Sequence, residues 1–294
     1  MHHMRFLNYI DAIARTGSIR ASALRLHIAP SAVNRRLQDI EDELGAQLFE
    51  RLPRGMRLNE VGEHFIAYIR HTQYELDQVL GRVANLKGLR QGKVKLVVSQ
   101  GMSTSLLPAA IASFKTSHQL VDFEVTVGDH VQALQMLRAL EVALALVFNL
   151  EHVPDVQVHL ERSQRLCVLM HKAHPLNGFQ ALKVQNCLDY PLGLPNPDKA
   201  ARQMLEAFCL ARGLALEASV ESNSFEFLRH CLMDEQTLTF QFESGVPQGD
   251  DLILGTPLQE DQWSPGFLTL ASLARRELPW MASLFIKHLM PLLP

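Results

Sequence analysis

The segment from Pro30 to Gly45 constrains the fold of this chain more than any other part of the sequence. Proline suits the first turn of a helix and glycine the position just after its end, so we expect a helix over residues 30–44. Its apolar residues fall on one side at helical spacing: Val33, Leu37, Ile40 and Leu44. A different side is polar and carries Ser31, Asn34, Arg35 and Gln38. The pattern predicts a helix that packs on a small core and presents a polar face outward.

Two shorter helical segments are expected before Pro30. Periodic apolar residues predict the first, which ends at Gly17 and contains Phe6, Ile10 and Ile13. Ser18 can cap the second, whose residues include Ala21, Leu24 and Arg25. A tight turn follows at 27–29, and because Ala29 lacks a side-chain acceptor, Ser31 is a candidate cap for the next helix. Two short helices joined in this way are typical of a helix-turn-helix.

The outer face of the helix over 30–44 consists of side chains that suit contact with bases. Arginine can bond guanine O6 and N7 together, and asparagine or glutamine can do the same with adenine N6 and N7. Arg36 is better placed for phosphate. On an isolated helix such a face is more often simply solvated, but the turn and the short helix before it favour DNA binding.

A basic hairpin is expected over residues 48–58. Pro53 and Gly55 are turn residues between two strand-like pieces, and the arginines there are Arg51, Arg54 and Arg57. Such a hairpin can lie along the minor groove as a wing, although an ordinary basic surface hairpin is the alternative. Residues 1–58 hold nine Lys/Arg and six Asp/Glu, a net charge of +3 in a chain whose net charge is −3. A basic head on an acidic body suits an approach to phosphate.

One long helix is expected over residues 59–90, with Asn59 as its cap. Its apolar positions follow heptad spacing: Val61, Phe65, Ile69, Leu76, Val79, Val83 and Leu86. A stripe of this length needs a partner helix, so we interpret it as a dimerisation helix. Packing of the stripe against its own chain is the alternative.

The remainder of the chain alternates strands with amphipathic helices. Expected strands cover 94–98, 122–127, 142–148, 164–170, 192–194, 216–220, 237–242 and 268–272, with helices at about 105–117, 130–140 and 279–291. Such alternation predicts a mainly parallel sheet. The last strand and helix are expected to return to the first set of strands.

Composition narrows the class of protein. The chain has 294 residues, 47% of them hydrophobic and 20% charged, which fits a soluble protein of about two domains. No apolar run approaches the roughly 18 residues that cross a bilayer, and no signal-type stretch follows the N-terminus, so we expect a cytoplasmic protein without membrane contact. Its four cysteines are expected to be ordinary buried thiols.

Catalytic and metal-binding patterns are weak in this sequence. His171 and His174 stand three residues apart in an expected loop without a nearby Cys, Asp or Glu at ligand spacing, so no metal site is predicted. The sequence contains no nucleophile elbow, phosphate-binding loop or dinucleotide fingerprint. We therefore expect no enzyme and no cofactor.

Three runs of sequence match a known family pattern with its spacing: residues 17–26, GSIRASALRL; residues 29–35, APSAVNR; and residues 40–51, IEDELGAQLFER. In these runs the chain resembles the LysR-type transcriptional regulators, and the resemblance extends more weakly over the whole chain. It implies a homodimer that pairs into a tetramer, binds duplex DNA near promoters, contacts RNA polymerase and responds to a small molecule in its C-terminal domain.

The resemblance also assigns roles to individual residues of the head. Pro30, Ser31, Asn34 and Arg35 fall where the family reads bases, Arg51 and Arg54 fall on its wing, and Ser18 falls where a helix start meets phosphate. Asn34 stands where the family usually has serine, and Arg36 where glutamine is common. These departures imply a different preferred half-site.

The expected C-terminal layout resembles the two-lobed, periplasmic-binding-protein-like effector domain of the same family. Lobe 1 covers about 92–163 and 267–294, and lobe 2 about 164–266. Ligands of such sheets bind at the carboxyl ends of strands, in the crevice between lobes. The candidate effector-binding residues are Ser99, Gln100, Ser103, Thr104, Gly128, Phe148, Asn149, Pro195 and Asn196.

Two of these residues bear on the ligand's charge. Ser103 and Thr104 near a helix start could hold a carboxylate, or they could merely cap that helix. Ala143 stands where the family usually has aspartate, and Asp234 and Gln236 replace common glycines. An effector that is a carboxylate and the absence of any effector therefore both stay open.

The predicted fold class is a multidomain α/β protein with three parts: a winged helix-turn-helix over 1–58, a linker helix over 59–90 and a two-lobed effector domain over 91–294. The leading functional hypothesis is a sequence-specific DNA-binding transcription regulator controlled by a small-molecule effector. The alternatives are an effector-free DNA-binding regulator, a solute-binding module whose head mediates protein association, and an enzyme with an accessory DNA-binding head.

Overall fold

The computed structural model describes residues 2–53, 55–86, 91–104, 106–179, 182–247, 249, 251–260 and 263–294, with the side chains of residues 2–6, 84 and 85 left aside. The chain divides into two compact units, Met1–Val83 and Ala84–Pro294. The boundaries expected between head, linker helix and effector domain stay predictions. Within the described ranges, no helix combines the length and the apolar character needed to cross a membrane.

The N-terminal unit consists of helices and one hairpin: α1 (His2–Thr16), α2 (Ile19–Leu26), α3 (Pro30–Leu44), β1 (Phe49–Leu52), β2 (Gly55–Leu58) and α4 (Glu60–Leu86). Its core draws one or two fully buried side chains from each helix and from the hairpin, among them Ile13, Ala23, Leu37, Leu48 and Ile69. Because each short helix has one apolar stripe, none of them can bury it without the others. The predicted winged helix-turn-helix is confirmed.

Local signals set the ends of the helices. The Ser18 hydroxyl accepts a hydrogen bond from the Ala21 N–H at 3.4 Å and caps α2. The cap position of α3 is Ala29, which makes no side-chain bond, so the expectation that Ser31 caps this helix is wrong. Gly45 ends α3 with a φ of 68°, a left-handed conformation that glycine adopts without strain. Leu44 is 44% exposed because it lies in this last turn, at the margin of the core.

A buried ion pair ties α1 to α4. The Asp11 carboxylate accepts hydrogen bonds from Arg15 Nε at 2.7 Å and from Arg70 Nε at 2.9 Å. Burial alone would raise the pKa of Asp11, but the charges and hydrogen bonds of the two arginines outweigh it and hold that pKa below its usual value of 3.8. The folded head therefore binds a proton at Asp11 more weakly than the unfolded chain does.

We expect Asp11→Asn to destabilise the head at pH 7 by about 1–3 kcal/mol, because it removes a charged acceptor from two guanidinium groups. Since the folded pKa is depressed, the stabilisation is complete above the ordinary aspartate pKa and is lost as pH falls through the folded value. The difference between wild type and variant should shrink below about pH 4. Hydrogen exchange of α1 and α4 peptides, at pH 7 and below pH 4, measures this difference in stability. Asp39→Asn, in an exposed pair with Arg36, is the control, and equal effects of the two variants would contradict the prediction.

The apolar stripe of α4 divides into two parts. Near its start, Ile69 is fully buried in the head core and Phe65 packs against that core. The prediction that Ile69 contacts a partner chain is therefore wrong, because this side chain is already enclosed by its own unit. Farther along, Val79, Val83 and Leu86 are 55%, 41% and 86% exposed. The alternative of packing against the same chain thus holds for the first part of the stripe only.

The C-terminal unit begins with a five-stranded sheet in the order β4-β3-β5-β12-β6. Its elements are β3 (Gln91–Val98), α5 (Gln100–Ser103), α6 (Leu106–Ser117), β4 (Leu120–Val127), α7 (His130–Arg138), β5 (Leu144–Phe148), β6 (Val156–Gln164), β12 (Gly266–Leu273) and α11 (Trp280–Leu289). β3 is parallel to β4 and β5, whereas β12 is antiparallel to β5 and β6. The expected return of the last strand and helix to this set is confirmed. We call this sheet with its helices the first lobe.

A second set of strands, with its helices, forms the second lobe. Its elements are β7 (Leu166–His171), α8 (Val184–Cys187), β8 (Gly193–Pro195), α9 (Ala200–Ala211), β9 (Val220–Ser222), α10 (Phe225–Cys231), β10 (Thr239–Phe242) and β11 (Ile253–Pro257). β7 is antiparallel to both β10 and β11, so the expected parallel arrangement is wrong here. β8 and β9 pair in parallel, and a bridge between Leu192 and Leu238 joins them to the other strands.

Side-chain alternation along β3 explains how helices cover both faces of the first lobe. Val94, Leu96 and Val98 belong to one large core, whereas Val97 belongs to a second core on the opposite face. Successive residues of a strand point to opposite faces, so an uninterrupted apolar strand is stable only when both faces are buried. β5 meets this condition at all five positions.

Candidate DNA interface and ligand cleft

The polar face of α3 lies where the sequence predicts it. Val33 and Leu37 are 0% and 1% exposed in the head core. Pro30, Ser31, Arg35, Arg36 and Gln38 are exposed, and Asn34 is half-buried. Because the buried stripe occupies one side of the helix, these polar groups line the other side, from which they can enter a groove.

The hairpin β1–β2 brings Arg51 beside this face. Phe49 pairs with Leu58 and Leu52 with Gly55, so the two strands pair up to the turn that follows Leu52. Arg51 is exposed, and its Nη2 donates to Asn34 Oδ1 at 3.5 Å. This long contact joins the hairpin to α3 across 17 residues of sequence. Arg54 lies outside the described residues.

The remaining basic and polar groups of the head differ in their partners. Arg57 pairs across the hairpin with Glu50 at 2.9 Å, and Arg36 pairs with Asp39 at 3.1 Å. All four side chains are at least 45% exposed, so solvent screens these pairs and phosphate can compete for the arginines. Ser18 is half-buried, and its hydroxyl oxygen accepts the hydrogen bond that caps α2.

A cleft of about 460 Å³ lies at the carboxyl ends of β3, β4 and β5. Those three strands are parallel, so the residues that follow them meet at one edge of the sheet. Five candidate effector-binding residues line this cleft: Ser99, Gln100, Gly128, Phe148 and Asn196. The second lobe supplies the opposite wall.

Four other candidates do not line the cleft, which corrects the prediction. The Ser103 hydroxyl donates to the Gln100 carbonyl within its own helix turn at 2.8 Å, and Thr104 is the residue that ends α5. Asn149 has a φ of 52° and accepts a hydrogen bond from the Phe267 N–H through Oδ1 at 2.8 Å, so its side chain ties two strand ends together. Pro195 is buried in β8.

Sequence reasoning missed every charged residue that lines the cleft, and several uncharged ones. The structure adds Asp129, His130 and Gln132 from the first lobe, and Asp198, Lys199, Asn223, Ser224, Phe225, Gln241 and Phe242 from the second. The pattern Asp-x-x-Gln at 129–132 is a capping signature that could have placed Asp129 at the start of a helix. Nothing in the local sequence around Lys199 indicates that it faces the first lobe.

Polar contacts cross the cleft between the two lobes. Gln100 Oε1 accepts a hydrogen bond from the Phe225 N–H at 3.0 Å, and Lys199 Nζ lies 3.9 Å from Asp129 Oδ2. The rings of Phe148 and Phe242 lie 4.5 Å apart between the lobes. Any ligand that enters must compete with these contacts or add to them.

Histidines and cysteines in the C-terminal unit have structural surroundings. His174 Nδ1 accepts from the Leu176 N–H at 3.0 Å, and its Nε2 lies 3.1 Å from the Gln236 carbonyl. Burial lowers the pKa of His174 and outweighs the hydrogen bond to the Gln236 carbonyl, which acts in the opposite direction. Burial also raises the pKa of the Cys167 and Cys187 thiols to about 12. Among the described residues, no group of three or more His, Cys, Asp and Glu side chains could hold a metal ion.

A polar helix beside a basic hairpin, followed in the same chain by a two-lobed α/β unit with a polar cleft, defines a transcription regulator of the helix-turn-helix class. Comparison with known proteins narrows this class. A profile described as the lysR family of bacterial regulatory helix-turn-helix proteins matches residues 4–63, and the LysR substrate binding domain matches residues 87–293. The chain belongs to the LysR family of transcriptional regulators.

Individual proteins that are similar to this chain support the same family. The RuBisCO operon transcriptional regulator of Allochromatium vinosum is 25% identical over 229 residues, which are 78% of this chain and 76% of that protein. Full-length CbnR in complex with its target DNA has a TM-score of 0.68 at 17% identity and covers 99% of both chains. A full-length OxyR variant from Pseudomonas aeruginosa has a TM-score of 0.69 at 20% identity, covering 97% of this chain and 94% of that one. The solved structures support the fold.

Proposed function

We propose that this regulator binds a specific duplex DNA site through α3 and the hairpin, under the control of a small molecule in the cleft. The observation that carries the DNA-binding part is the exposed polar face of α3 with Asn34 and Arg35 opposite the buried stripe. These two side chains contact base edges, and Arg36, Arg51 and Arg57 contact phosphates and the adjacent minor groove. Ser18, Pro30, Ser31 and Gln38 complete the proposed contact set. Arg54 keeps its proposed wing role from the sequence alone.

The proposed assembly uses the distal part of α4. Val79, Val83 and Leu86 are exposed apolar side chains at heptad spacing, with Leu76 half-buried beside them. Burying such a stripe against the same stripe of a second copy removes it from water and gives an isologous dimer. Val61, 46% exposed near the start of α4, is included in this surface. A pairing of dimers into a tetramer, contact with RNA polymerase and a cytoplasmic location complete the proposal.

Binding to the DNA upstream of the chain's own gene, measured at several salt concentrations, tests the function. A head that neutralises phosphates gives an affinity that falls steeply as salt rises. A head that serves only protein association shows no DNA affinity even at low salt. A DNA-binding protein whose affinity no small molecule alters would correspond to an effector-free regulator.

We expect Arg51→Ala to weaken DNA binding in two measurable ways. Loss of one phosphate contact makes the slope of log affinity against log salt shallower by about one. Loss of the bond to Asn34 Oδ1 frees the Asn34 amide to rotate, so discrimination at the base pair that Asn34 contacts also relaxes. Selection from a randomised operator library reports the second effect.

Arg57→Ala is the matched control for Arg51→Ala, since Arg57 lies on the other strand of the hairpin and pairs with Glu50. It should weaken binding to every sequence alike. If Arg51→Ala also weakened all sequences alike, its proposed positioning of Asn34 would be refuted. If Arg51→Ala left the slope of log affinity against log salt unchanged, the proposed contact between Arg51 and phosphate would be refuted instead.

A further inference from the structure

Asp129 is a half-buried residue that lines the ligand cleft. Its side chain is 10% exposed. Oδ1 accepts a hydrogen bond from the Gln132 N–H at 2.8 Å as the cap of α7, and the Gln132 side chain bonds back to the Asp129 N–H. Oδ2 lies 3.9 Å from Lys199 Nζ, which is beyond hydrogen-bond distance. Among the described residues Oδ2 therefore has a charged neighbour but no hydrogen bond.

Lys199 supplies the opposite charge from the second lobe. Its side chain is 20% exposed, and its Nζ also lies 2.8 Å from Asp198 Oδ2. Lys199 is the cap residue of the 12-residue helix α9, and no side chain caps the N–H groups that follow it. Ala200 and Ala201 at this helix start also line the cleft. The wall formed by the second lobe thus combines an ammonium group with the positive end of a helix.

The balance of charges restricts which ligand can enter. The charged side chains that line the cleft are Asp129, Asp198 and Lys199, which sum to −1. A simple carboxylate that captured Lys199 would leave the Asp129 side chain, which is only 10% exposed, without a counter-charge. An unpaired charge with so little access to water is unfavourable. A ligand with both an ammonium and a carboxylate group replaces one long ion pair by two, so that Asp129 and Lys199 each keep a counter-charge. The remaining charge of −1 belongs to Asp198, whose side chain is 51% exposed to solvent and lies beside Lys199.

We propose that the effector is a small zwitterion of the α-amino-acid type. Its ammonium group binds Asp129 on the first lobe, and its carboxylate binds Lys199 and the start of α9 on the second. This inference rests on the proposed function of the cleft as the effector site. The cleft volume of about 460 Å³ falls in the lower part of the range for small-molecule pockets, which suits a ligand of this size. His130 also lines the cleft, and its buried Nδ1 has no hydrogen-bond partner among the described residues.

A panel of matched compounds tests the charge requirement on the full-length protein. The probes are the common L-amino acids, the 2-hydroxy acids that replace the ammonium by a hydroxyl, and the amines that lack the carboxylate. We expect at least one amino acid to raise the melting temperature, because a ligand that binds the folded state stabilises it. In calorimetry its hydroxy-acid and amine counterparts should bind at least about tenfold more weakly, since each lacks one charged contact.

Two variants assign the contacts. Asp129→Asn keeps a side-chain oxygen to cap α7 but removes the charge, so it should weaken amino-acid binding by about 10- to 100-fold while leaving the hydroxy acid's affinity unchanged or higher. Lys199→Gln should weaken the amino acid and leave the amine unaffected. Asp155→Asn, in an exposed pair with Arg138 at 2.7 Å, is the control and should change neither.

Three results would overturn the inference. They are a hydroxy acid that binds wild type as tightly as its amino acid, unchanged amino-acid affinity in Asp129→Asn, or no response to any compound in the panel. DNA binding by the same ligand-free protein is measured in parallel. If the protein binds DNA in a salt-dependent way but binds no amino acid, the inference of a zwitterionic effector is overturned and the proposed DNA-binding function stands. If it binds neither DNA nor any amino acid, the proposed function is overturned as well.

Discussion

Replacing Arg35 or Asn34 with alanine should each lower the affinity for the specific operator by about 1–3 kcal/mol, which is roughly 5- to 150-fold. Both side chains lie on the face of α3 opposite the buried Val33 and Leu37, so truncation removes a base contact without opening the head core. The double variant should retain little preference for operator over scrambled DNA. Fluorescence anisotropy with a promoter fragment and a scrambled fragment of equal length measures both affinities.

The scrambled fragment separates base contacts from general attraction to phosphate. Affinity for it should fall much less in Asn34→Ala, because this side chain carries no charge, and should fall modestly in Arg35→Ala. Lys115→Ala removes the same charge from an exposed position on α6 and serves as the control for net charge. Unchanged operator preference in the double variant would show that α3 is not the element that recognises the sequence.

Gly62→Ala and Gly81→Ala lie in the same helix, α4, yet their effects on stability should have opposite signs. A Cβ on Gly62 would overlap the Leu48 carbonyl oxygen and press on Leu58 Cδ2. That carbonyl already accepts a hydrogen bond from the Asn59 N–H at 3.1 Å, and the Gly62 N–H donates to Asn59 Oδ1 at 2.8 Å. The backbone here therefore cannot shift to make room for a methyl group without weakening these hydrogen bonds. We expect a loss of about 1–3 kcal/mol, together with a displaced hairpin and weaker DNA binding.

Around Gly81 no described atom outside the neighbouring backbone of the same helix lies within 4 Å of the added methyl group. Alanine there should stabilise the helix by up to about 1 kcal/mol, because glycine is the poorer helix former. Melting temperature and hydrogen exchange of α4 peptides compare the two variants with wild type. A Gly62→Ala protein as stable as wild type would contradict the close approach of α4 to Leu48, the residue before β1.

How much the sequence predicts depends on whether a signal is local. The bounds of α3 follow from Pro30, the apolar stripe and Gly45, all of which act within one helix. The strand β11 escapes sequence reasoning because Gly255 and Pro257 disfavour a strand, and its stability comes from pairing with β7. Periodicity reports that β7 is a strand but not its direction, so the antiparallel pairing of the second lobe could not be predicted.

The candidate cleft shows the same limit. Ser99, Gly128 and Phe148 could be placed because each follows or ends a parallel strand of one sheet. Lys199 and Phe225 lie at helix starts of the second lobe, and their position depends on how two separate sheets pack together. Ile69 and Val79 share one heptad stripe, yet only the structure shows that the first is enclosed by its own head while the second is exposed.

The raised pKa values of Cys167 and Cys187 have a consequence for sulfur chemistry in this regulator. With a pKa of about 12, roughly one such thiol in 100,000 is a thiolate at neutral pH, and the thiolate is the form that attacks electrophiles and disulfides. Both side chains are also at most 2% exposed, Cys167 in β7 and Cys187 in α8, so a reagent can reach them only when the second lobe opens. The rate of alkylation at either sulfur therefore reports how often the second lobe opens.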